Sequence, residues 1–322
     1  MLDRFMPVVR FEPIYQQRVW GGRALQTTLG RTLPDADAPF GESWEIVDRA
    51  EANSRIANGS HAGKSLREAL ETDAASLLGP AWDPAQPFPL LVKWLDCRER
   101  LSLQVHPPAR VAPTLGGEPK TENWYIAEAT PEAALIVGLK AGVDRTQFEK
   151  ALSANELETC LHRFPVRAGQ SIFVPSGRLH AIDGGNLILE IQQNSDTTYR
   201  VYDWGRVGLD GQPRDLHVEE SLQSIDWNDA EPQPVTTGTG QTVLAECEHF
   251  RLRYQLLGPS QSIEFSANED AQLVSVVKGA VAVDGERALL HYGANVLVPF
   301  SEGAVFTAAK PAAVVITERF TN

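Results

Sequence analysis

Hydrophobic and polar positions alternate along most of this chain in short runs, which is typical of β-strands separated by turns. Alternating or continuous apolar runs predict strands at residues 43–47, 88–95, 171–174 and 187–192. Similar runs at 273–277, 280–283 and 295–298 predict a second all-β region near the C-terminus. The pattern therefore indicates a mainly β protein built from two small β-barrels.

A first helix is predicted at about 65–80 in the N-terminal half. Ser65 followed by Glu68 has the spacing of a capping box, in which each residue satisfies a free backbone N–H of the helix start. The apolar residues that follow at positions 66, 69, 70 and 77 fall on one helical face.

A second helical segment is predicted at about 144–163. Asp144 followed by Gln147 begins it and places apolar residues 148 and 152 on the inner face. Ser153 followed by Glu156 predicts a further helix that carries the leucines at 157 and 161. A few short helices are therefore expected beside the strands.

The segment 228–242 is rich in Pro, Gly and Thr and lacks a periodic apolar pattern, which is typical of a linker. We therefore predict a catalytic domain at 1–230 and a second β domain at 231–322. In the second domain, Gly293 is followed by five residues and Pro299, a spacing that also occurs earlier in the chain. The earlier stretch, at 169–180, continues with Gly177 and His180, and neither residue has a counterpart here, so we expect a degenerate repeat without a metal site.

Composition limits the classes of partner. The 322 residues carry a net charge of −13 and contain no run of Lys or Arg, which argues against nucleic acid or an anionic membrane as a partner. No apolar stretch reaches the ~20 residues that span a bilayer. The three cysteines are far apart and form no CxxC motif, so they indicate reduced thiols in a cytoplasmic protein. The sequence leaves the oligomeric state open.

The most informative motif lies at residues 169–180, which read Gly-Gln-Ser-Ile-Phe-Val-Pro-Ser-Gly-Arg-Leu-His. A strand that ends in a Pro175–Gly177 turn places His180 at the edge of a cavity. Upstream, Gln104 and His106 are two residues apart, so on a strand both side chains face the same way. Two such strands facing each other predict a metal site.

A divalent metal with two imidazole ligands commonly takes a carboxylate as well, which suits zinc with an open position for substrate. Three glutamates are near enough in sequence, Glu118, Glu122 and Glu128, and spacing alone does not choose between them. The amide oxygen of Gln104 is a neutral ligand, which would leave the metal a stronger Lewis acid. Alternatively, Gln104 makes a supporting hydrogen bond to a ligand.

A dense polar run begins within the predicted strand at 187–192 and extends to residue 200. It contains Glu190, Asp196 and Arg200, with Arg206 close behind. One interpretation is a structural ion pair between Arg200 and one of the two carboxylates, because a buried unpaired carboxylate is costly. The other is a cationic pocket of Lys120, Arg200 and Arg206 that binds an anionic substrate.

Seven stretches resemble the type I phosphomannose isomerases, zinc-dependent enzymes of the cupin superfamily, and this chain is similar to their short bacterial form. The matching stretches are Phe-Glu-Pro at 11–13 through Arg-Val-Trp-Gly-Gly at 18–22, Gly-Glu-Ser-Trp-Glu at 41–45, Phe-Pro-Leu-Leu-Val-Lys-Trp-Leu-Asp at 88–96, Leu-Ser-Leu-Gln-Val-His-Pro at 101–107, Pro-Lys-Thr-Glu-Asn-Trp-Tyr at 119–125, Pro-Ser-Gly-Arg-Leu-His at 175–180 and Gln-Asn-Ser-Asp-Thr-Thr-Tyr-Arg at 193–200. The resemblance implies two cupin-like (jelly-roll) barrels.

The resemblance also implies a site. It assigns one zinc ion to the ligands Gln104, His106, Glu122 and His180, and it makes Arg200 catalytic beside Lys120, Glu190 and Asp196. Ser102 and Arg206 fall where the family is thought to hold the phosphate, and Trp20 matches an aromatic residue near the sugar. The chain departs from longer members by lacking their helical insertion between the glutamate and the second histidine, which puts substrate selectivity in doubt.

The implied activity is isomerisation of mannose 6-phosphate and fructose 6-phosphate through a cis-enediol, with Glu190 as the first candidate for the base and Asp196 or Lys120 as others. Three alternatives remain: an isomerase of another aldose phosphate, a cupin metal oxygenase, and a non-catalytic sugar-phosphate-binding cupin. Against an oxygenase, the chain has Gln104-Val-His106 rather than the His-x-His common in such sites.

Overall fold

A computed structural model describes residues 7–321, and within them the protein is mainly β with several sheets and few helices. The strands are β1 (Val9–Glu12), β2 (Ile14–Gly22), β3 (Phe40–Ile46), β4 (Arg55–Ile56), β5 (Leu90–Cys97), β6 (Leu103–Val105), β7 (Glu122–Ala129), β8 (Ala134–Leu139), β9 (Leu161–Pro165), β10 (Gln170–Val174), β11 (His180–Ile182), β12 (Asn186–Gln193), β13 (Tyr199–Tyr202), β14 (Val235–Thr236), β15 (Gln241–Glu246), β16 (Arg251–Leu257), β17 (Ser262–Phe265), β18 (Gln272–Lys278), β19 (Ala280–Val283), β20 (Leu290–His291), β21 (Asn295–Val298), β22 (Ala304–Thr307) and β23 (Ala312–Glu318). The helices are α1 (Ala24–Thr27), α2 (Leu66–Leu78), α3 (Arg145–Ser153) and α4 (Val218–Ser224), with 3₁₀ turns at Ala112–Leu115 and Leu157–Thr159.

The chain forms two compact units. The first holds residues 7–15, 43–94 and 236–321, and the second holds residues 16–42 and 95–235. The predicted domain limits, 1–230 and 231–322, stay a prediction. The units differ from them by grouping two N-terminal segments with the C-terminal strands.

The first unit contains an antiparallel sheet in the order β15-β16-β23-β18-β21-β1-β4 and a smaller sheet in the order β17-β22-β19-β20. Alternate residues of both sheets, such as Val274, Ile316 and Phe306, share one buried cluster. Helix α2 begins with the predicted capping box of Ser65 and Glu68. The predicted apolar face of this helix is buried.

The second unit contains the sheet β13-β6-β11-β8-β9, and also β10, β7 and β12, which are neighbours in that order. One face of β7, including Trp124 and Ile126, packs in a cluster with Leu135 and Ile182 from the five-stranded sheet. The opposite face of that sheet packs with Phe148 of α3 in a separate cluster. The two sheets therefore enclose a shared interior, and the candidate site lies there.

The predicted strands are present as β3, β5, β10, β12, β18, β19 and β21, with ends shifted by one or a few residues. Asp144 and Gln147 form the expected capping box of α3. The further helix predicted from Ser153 and Glu156 is wrong. Leu157–Thr159 is a single 3₁₀ turn that Glu156 does not cap with its side chain.

Leu161 belongs to β9, whose residues pair with β8. Pairing with an existing strand outweighs the weak helical preference of this segment, because local propensity is easily overridden by tertiary context. Helix α4 has no counterpart among the predictions. Within residues 7–321, no helix is both long and apolar enough to cross a membrane.

Candidate metal centre and active site

Three polar side chains lie side by side on the five-stranded sheet. Strand β6 is central, with His180 of β11 opposite Gln104 on one side and Arg200 of β13 opposite it on the other. Directly opposite residues of antiparallel strands project from the same face. This row faces the shared interior, since the alternate residues Leu103 and Val105 pack on the other face.

The facing sheet contributes Glu122, the first residue of β7, and Trp124 two positions later on the same face. Glu190 of β12 lies opposite Trp124 and accepts a hydrogen bond of 2.9 Å from its indole Nε1. The ring of Trp124 makes an edge contact with the ring of His180, with centroids 5.3 Å apart. This contact brings the two sheets together at the site.

The turn between β10 and β11 is anchored beside His106. The backbone N–H of Gly177 donates to the carbonyl of His106 at 2.8 Å. Gly177 has φ of +94°, and a Cβ there would come within 3.1 Å of Pro108. The positive φ favours glycine and a Cβ would crowd Pro108, so Gly177 supports the turn that brings His180 toward His106.

The described residues bring His106, Glu122 and His180 together as a group that could bind a metal, with ligand atoms all within 4.8 Å of one another. The Nε2 atom of His106 lies 3.6 Å from Glu122 Oε2, and that of His180 lies 3.6 Å from Glu122 Oε1. At most 1% of any of these side chains is exposed.

Both histidines present Nε2 to this space because their other nitrogen is held by the backbone. Nδ1 of His106 lies 2.8 Å from the carbonyl of Thr197, and Nδ1 of His180 lies 2.8 Å from that of Arg178. A carbonyl requires a protonated Nδ1, which leaves the Nε2 lone pair available to a metal. Burial lowers the pKa of His106 and lowers that of His180 to about 3, so both imidazoles are neutral at pH 7.

The carboxylate of Glu122 is held in its charged form. Burial opposes ionisation, but the positive charge of Lys120 outweighs it, and the pKa of Glu122 lies well below its usual range. Lys120 Nζ lies 2.8 Å from Glu122 Oε2 and 3.9 Å from Glu190 Oε1. Burial acts against the charge of Lys120 too, yet Glu122 and Glu190 raise its pKa above the ordinary value.

This donor set fits a divalent cation. Within residues 7–321, His106 Nε2 and Glu122 Oε1 are buried and make no hydrogen bond. Leaving such acceptors unsatisfied is costly, and a metal ion would satisfy both. Of the three glutamates that spacing left open, the structure places Glu122 in the cluster, whereas Glu118 and Glu128 are exposed.

Gln104 borders the same space. Its Nε2 lies 3.1 Å from His180 Nε2, and its Oε1 accepts a hydrogen bond of 3.3 Å from Ser102. Rotating the amide by half a turn exchanges these atoms and turns the oxygen toward the cluster. A ligand role for Gln104 therefore stays a prediction, and Ser102 lies next to it, buried.

The other predicted residues lie around this centre. Glu190 and Trp20 are buried, whereas Asp196 is exposed. Trp20 packs in the same apolar cluster as Trp124. Asp196 contributes an electrostatic attraction to Lys120.

The predicted cations form two groups. Lys120 pairs with the two buried glutamates, whereas Arg206 pairs with Asp203 at 2.6 Å. Arg200 donates to the carbonyl of Asp215 at 2.6 Å. Burial, and the positive charge of nearby arginines, lower the pKa of Arg200.

Three residues around this site have no counterpart among the predicted site residues. Trp124 carries a usable signal, because it follows Glu122 by two positions within a strand. Arg214 carries none, since only the folded chain brings it to Asp203. His217 lies in none of the sequence motifs, yet it forms two hydrogen bonds with Arg200: its backbone N–H donates to the Arg200 carbonyl, and its ring accepts from the Arg200 N–H.

The chain matches known proteins over nearly its whole length. The family described as phosphomannose isomerase type I, catalytic domain, matches residues 8–141. Mannose-6-phosphate isomerase ManA of Bacillus subtilis (strain 168) is 34% identical over 303 residues, which are 91% of this chain and 93% of that protein. The chain belongs to the type I phosphomannose isomerase family.

Other comparisons place the chain in the same family. The mannose-6-phosphate isomerase of Streptococcus mutans is 34% identical over 301 residues, 89% of this chain and 92% of that protein. A crystal structure of the mannose 6-phosphate isomerase from Bacillus subtilis superposes with a TM-score of 0.82 at 29% identity, covering 97% of this chain and 99% of that one. This phosphomannose isomerase family member is therefore an isomerase of mainly β, cupin-like fold.

Proposed function

We propose that this protein is a zinc-dependent aldose-ketose isomerase that interconverts mannose 6-phosphate and fructose 6-phosphate. We further propose that it binds one zinc ion per chain and acts in the cytoplasm in mannose metabolism. The observation that carries the proposal is the buried His106–Glu122–His180 cluster with Glu190 beside it, in a chain of this family. The names of the Bacillus and Streptococcus relatives supply the substrate.

The ion would be held by His106, Glu122 and His180, with Gln104 as the fourth ligand after rotation of its amide. Two imidazoles and a carboxylate are a common zinc set, and zinc with four protein ligands can still accept a fifth from the substrate. A bound zinc ion supplies Lewis acidity, which makes the carbon beside a sugar carbonyl more acidic. The remaining steps are the work of protein side chains.

Glu190 would move the proton between C2 and C1 of the open-chain sugar through a cis-enediol. The carboxylate is buried, accepts a hydrogen bond from Trp124 and lies 3.9 Å from the Lys120 ammonium. The indole N–H donor and the nearby ammonium charge hold the carboxylate in one orientation, as a base requires. Asp196, which is exposed, would assist ring opening, and Lys120 would position both buried glutamates.

Arg200 would stabilise the negative oxygen that develops as the proton leaves. Its place opposite Gln104 on the neighbouring strand supports this role. Ser102 and Arg206 would hold the phosphate. Trp20, buried in the apolar cluster with Trp124, would shape the wall near the sugar.

The test is a coupled assay of zinc-loaded protein with mannose 6-phosphate, run in parallel with other aldose phosphates and with an oxygen electrode. We expect conversion of mannose 6-phosphate to be the fastest reaction and oxygen uptake to be absent. Faster turnover of another aldose phosphate would show that mannose 6-phosphate is not the preferred substrate. Oxygen consumption, or binding without isomerisation, would contradict the proposal.

A further inference from the structure

One buried carboxylate in the second unit holds two arginines. Asp203 Oδ1 accepts one hydrogen bond of 2.6 Å from Arg206 and one of 2.5 Å from Arg214. Asp203 Oδ2 accepts a third, of 2.7 Å, from Arg214 Nε. Only 6% of Asp203 is exposed, against 15% and 21% of the two arginine side chains. Because two guanidinium groups share one carboxylate, these three residues carry a net positive charge.

The chain between these residues folds back to bring both arginines to Asp203. The Arg206 N–H donates to the Asp203 carbonyl at 3.0 Å, which closes the turn. Val207 then pairs with Pro213 as an antiparallel bridge, which returns the chain to Arg214. Two residues eight positions apart thus flank one carboxylate.

The turn is also fixed to the strand that leads into the metal centre. Trp204 Nε1 donates to the Leu101 carbonyl at 2.7 Å, and Arg206 donates to the carbonyl of Arg100. Ser102, the predicted phosphate contact, follows directly in the sequence. Arg206 is therefore held against residues 100 and 101, and Arg214 is tied to Arg206 through Asp203.

Arg206 of this cluster and the neighbouring Arg200 each have an Nε–H that is free to donate a hydrogen bond. Within the part of the chain that the structure describes, the Nε atoms of Arg200 and Arg206 are buried and make no hydrogen bond. Arg200 connects the cluster to the metal centre, because it lies opposite Gln104. Buried N–H donors without an acceptor are costly, and an anion placed here would satisfy them.

We propose that Arg214 and Arg206 together bind the phosphate group of the substrate, and that Asp203 is a positioning residue that fixes both guanidinium groups. The inference rests on the proposed function for its substrate. A dianionic phosphate favours paired, planar guanidinium donors, which also tolerate a shared carboxylate behind them. The sequence motifs assigned this role to Arg206 and Ser102 and gave no part to Arg214.

The test compares Arg214→Met with Arg145→Met, a matched control that removes a guanidinium paired with Glu149 on the surface of α3. Calorimetry with inorganic phosphate measures anion affinity without turnover. Steady-state kinetics with mannose 6-phosphate separate KM from kcat. Metal content and the thermal transition of each variant are measured alongside.

We expect Arg214→Met to weaken phosphate binding about tenfold or more and to raise KM by more than it lowers kcat, with unchanged metal content. Arg214→Lys keeps the charge but not the paired geometry, so its affinity for phosphate should lie between those of the wild type and Arg214→Met. Asp203→Asn alone should weaken phosphate binding. Combined with Arg214→Met it should weaken binding little further, since a positioning residue acts through its partner.

Unchanged phosphate affinity and KM in folded Arg214→Met and Arg214→Lys would overturn the inference while leaving the isomerase proposal intact. A wild-type protein that binds inorganic phosphate through Arg214 but does not turn over mannose 6-phosphate would contradict the proposed function and support the anion site. The two proposals therefore fail independently.

Discussion

Trp124 donates its indole hydrogen to Glu190, and its ring contacts the edge of His180. One side chain therefore touches both the candidate base and a candidate metal ligand. The distance between the candidate base and the candidate metal ligands is set by packing in the interior of the unit, where Trp124 is 1% exposed. Such a buried scaffold holds reacting groups more accurately than a surface loop does.

Replacing Glu190 with Gln should lower kcat for mannose 6-phosphate by roughly 10²- to 10⁴-fold, because an amide does not accept the substrate proton. The amide oxygen still accepts from Trp124, so metal content and thermal transition should match those of the wild type. Exchange of the substrate C2 proton with solvent deuterium is the direct readout. Wild-type exchange in Glu190→Gln would assign the proton transfer to another group.

Replacing Arg200 with Ala should lower kcat by ~10²- to 10³-fold, in line with the loss of one positioned electrostatic donor. Single-turnover kinetics isolate the chemical step. Arg163→Ala, which removes an arginine paired with Asp183, is the matched control and should keep kcat. If Arg200→Ala slows the chemical step by less than about tenfold, Arg200 has no part in the mechanism.

Replacing Glu122 with Gln should lower bound zinc from about one ion per chain to a small fraction, because the charged ligand is lost while the shape is kept. Metal analysis after dialysis against a weak chelator measures this. His162→Gln, which changes a histidine outside the cluster, should retain the ion. Equal zinc content in Glu122→Gln and wild type would move the metal centre elsewhere.

Much of the site can be predicted from the sequence because it depends on short local motifs and on the alternation of side chains along strands. The Pro175-x-Gly177 turn requires a glycine φ, and that requirement brings the strand after it back to His106. Strand alternation puts Glu122 and Trp124 on one face. Spacing does not distinguish Glu122 from Glu118 as the metal ligand, because the distinction depends on which residue the pairing of β7 buries.

The parts that sequence did not reveal depend on contacts between distant residues. Arg214 reaches Asp203 only through the bridge that closes the intervening turn. Leu161 looks like the end of a helix by local pattern, yet it pairs with Leu139 of β8. Local capping boxes, in contrast, were predicted correctly at Ser65 and Asp144, because both partners lie within one helical turn.

Asp96 should make stability fall as the pH rises. Burial raises its pKa from 3.8 to about 6, against the opposing hydrogen bonds from the backbone of Ala24 and Leu25. The folded state thus keeps a proton that the unfolded chain loses. Between about pH 4 and 6 the free energy of unfolding loses up to about 3 kcal/mol from this group.

Asp96→Asn should remove that loss, because the amide keeps an acceptor oxygen and has no charge to bury. Urea unfolding of wild type and variant at pH 4 and at pH 7 measures it, with Asp37→Asn, an exposed position, as the control. The variant should gain stability relative to wild type at pH 7 and gain little at pH 4. A difference that does not change with pH would show that Asp96 ionises normally in the fold.

The most direct measurement of the central claim is isomerase activity on mannose 6-phosphate before and after the metal is removed. Protein stripped with a chelator, and checked for retained fold, is assayed with and without added Zn²⁺. The account predicts that turnover disappears with the metal and returns as zinc approaches one equivalent per chain. Full activity in metal-free protein would contradict it.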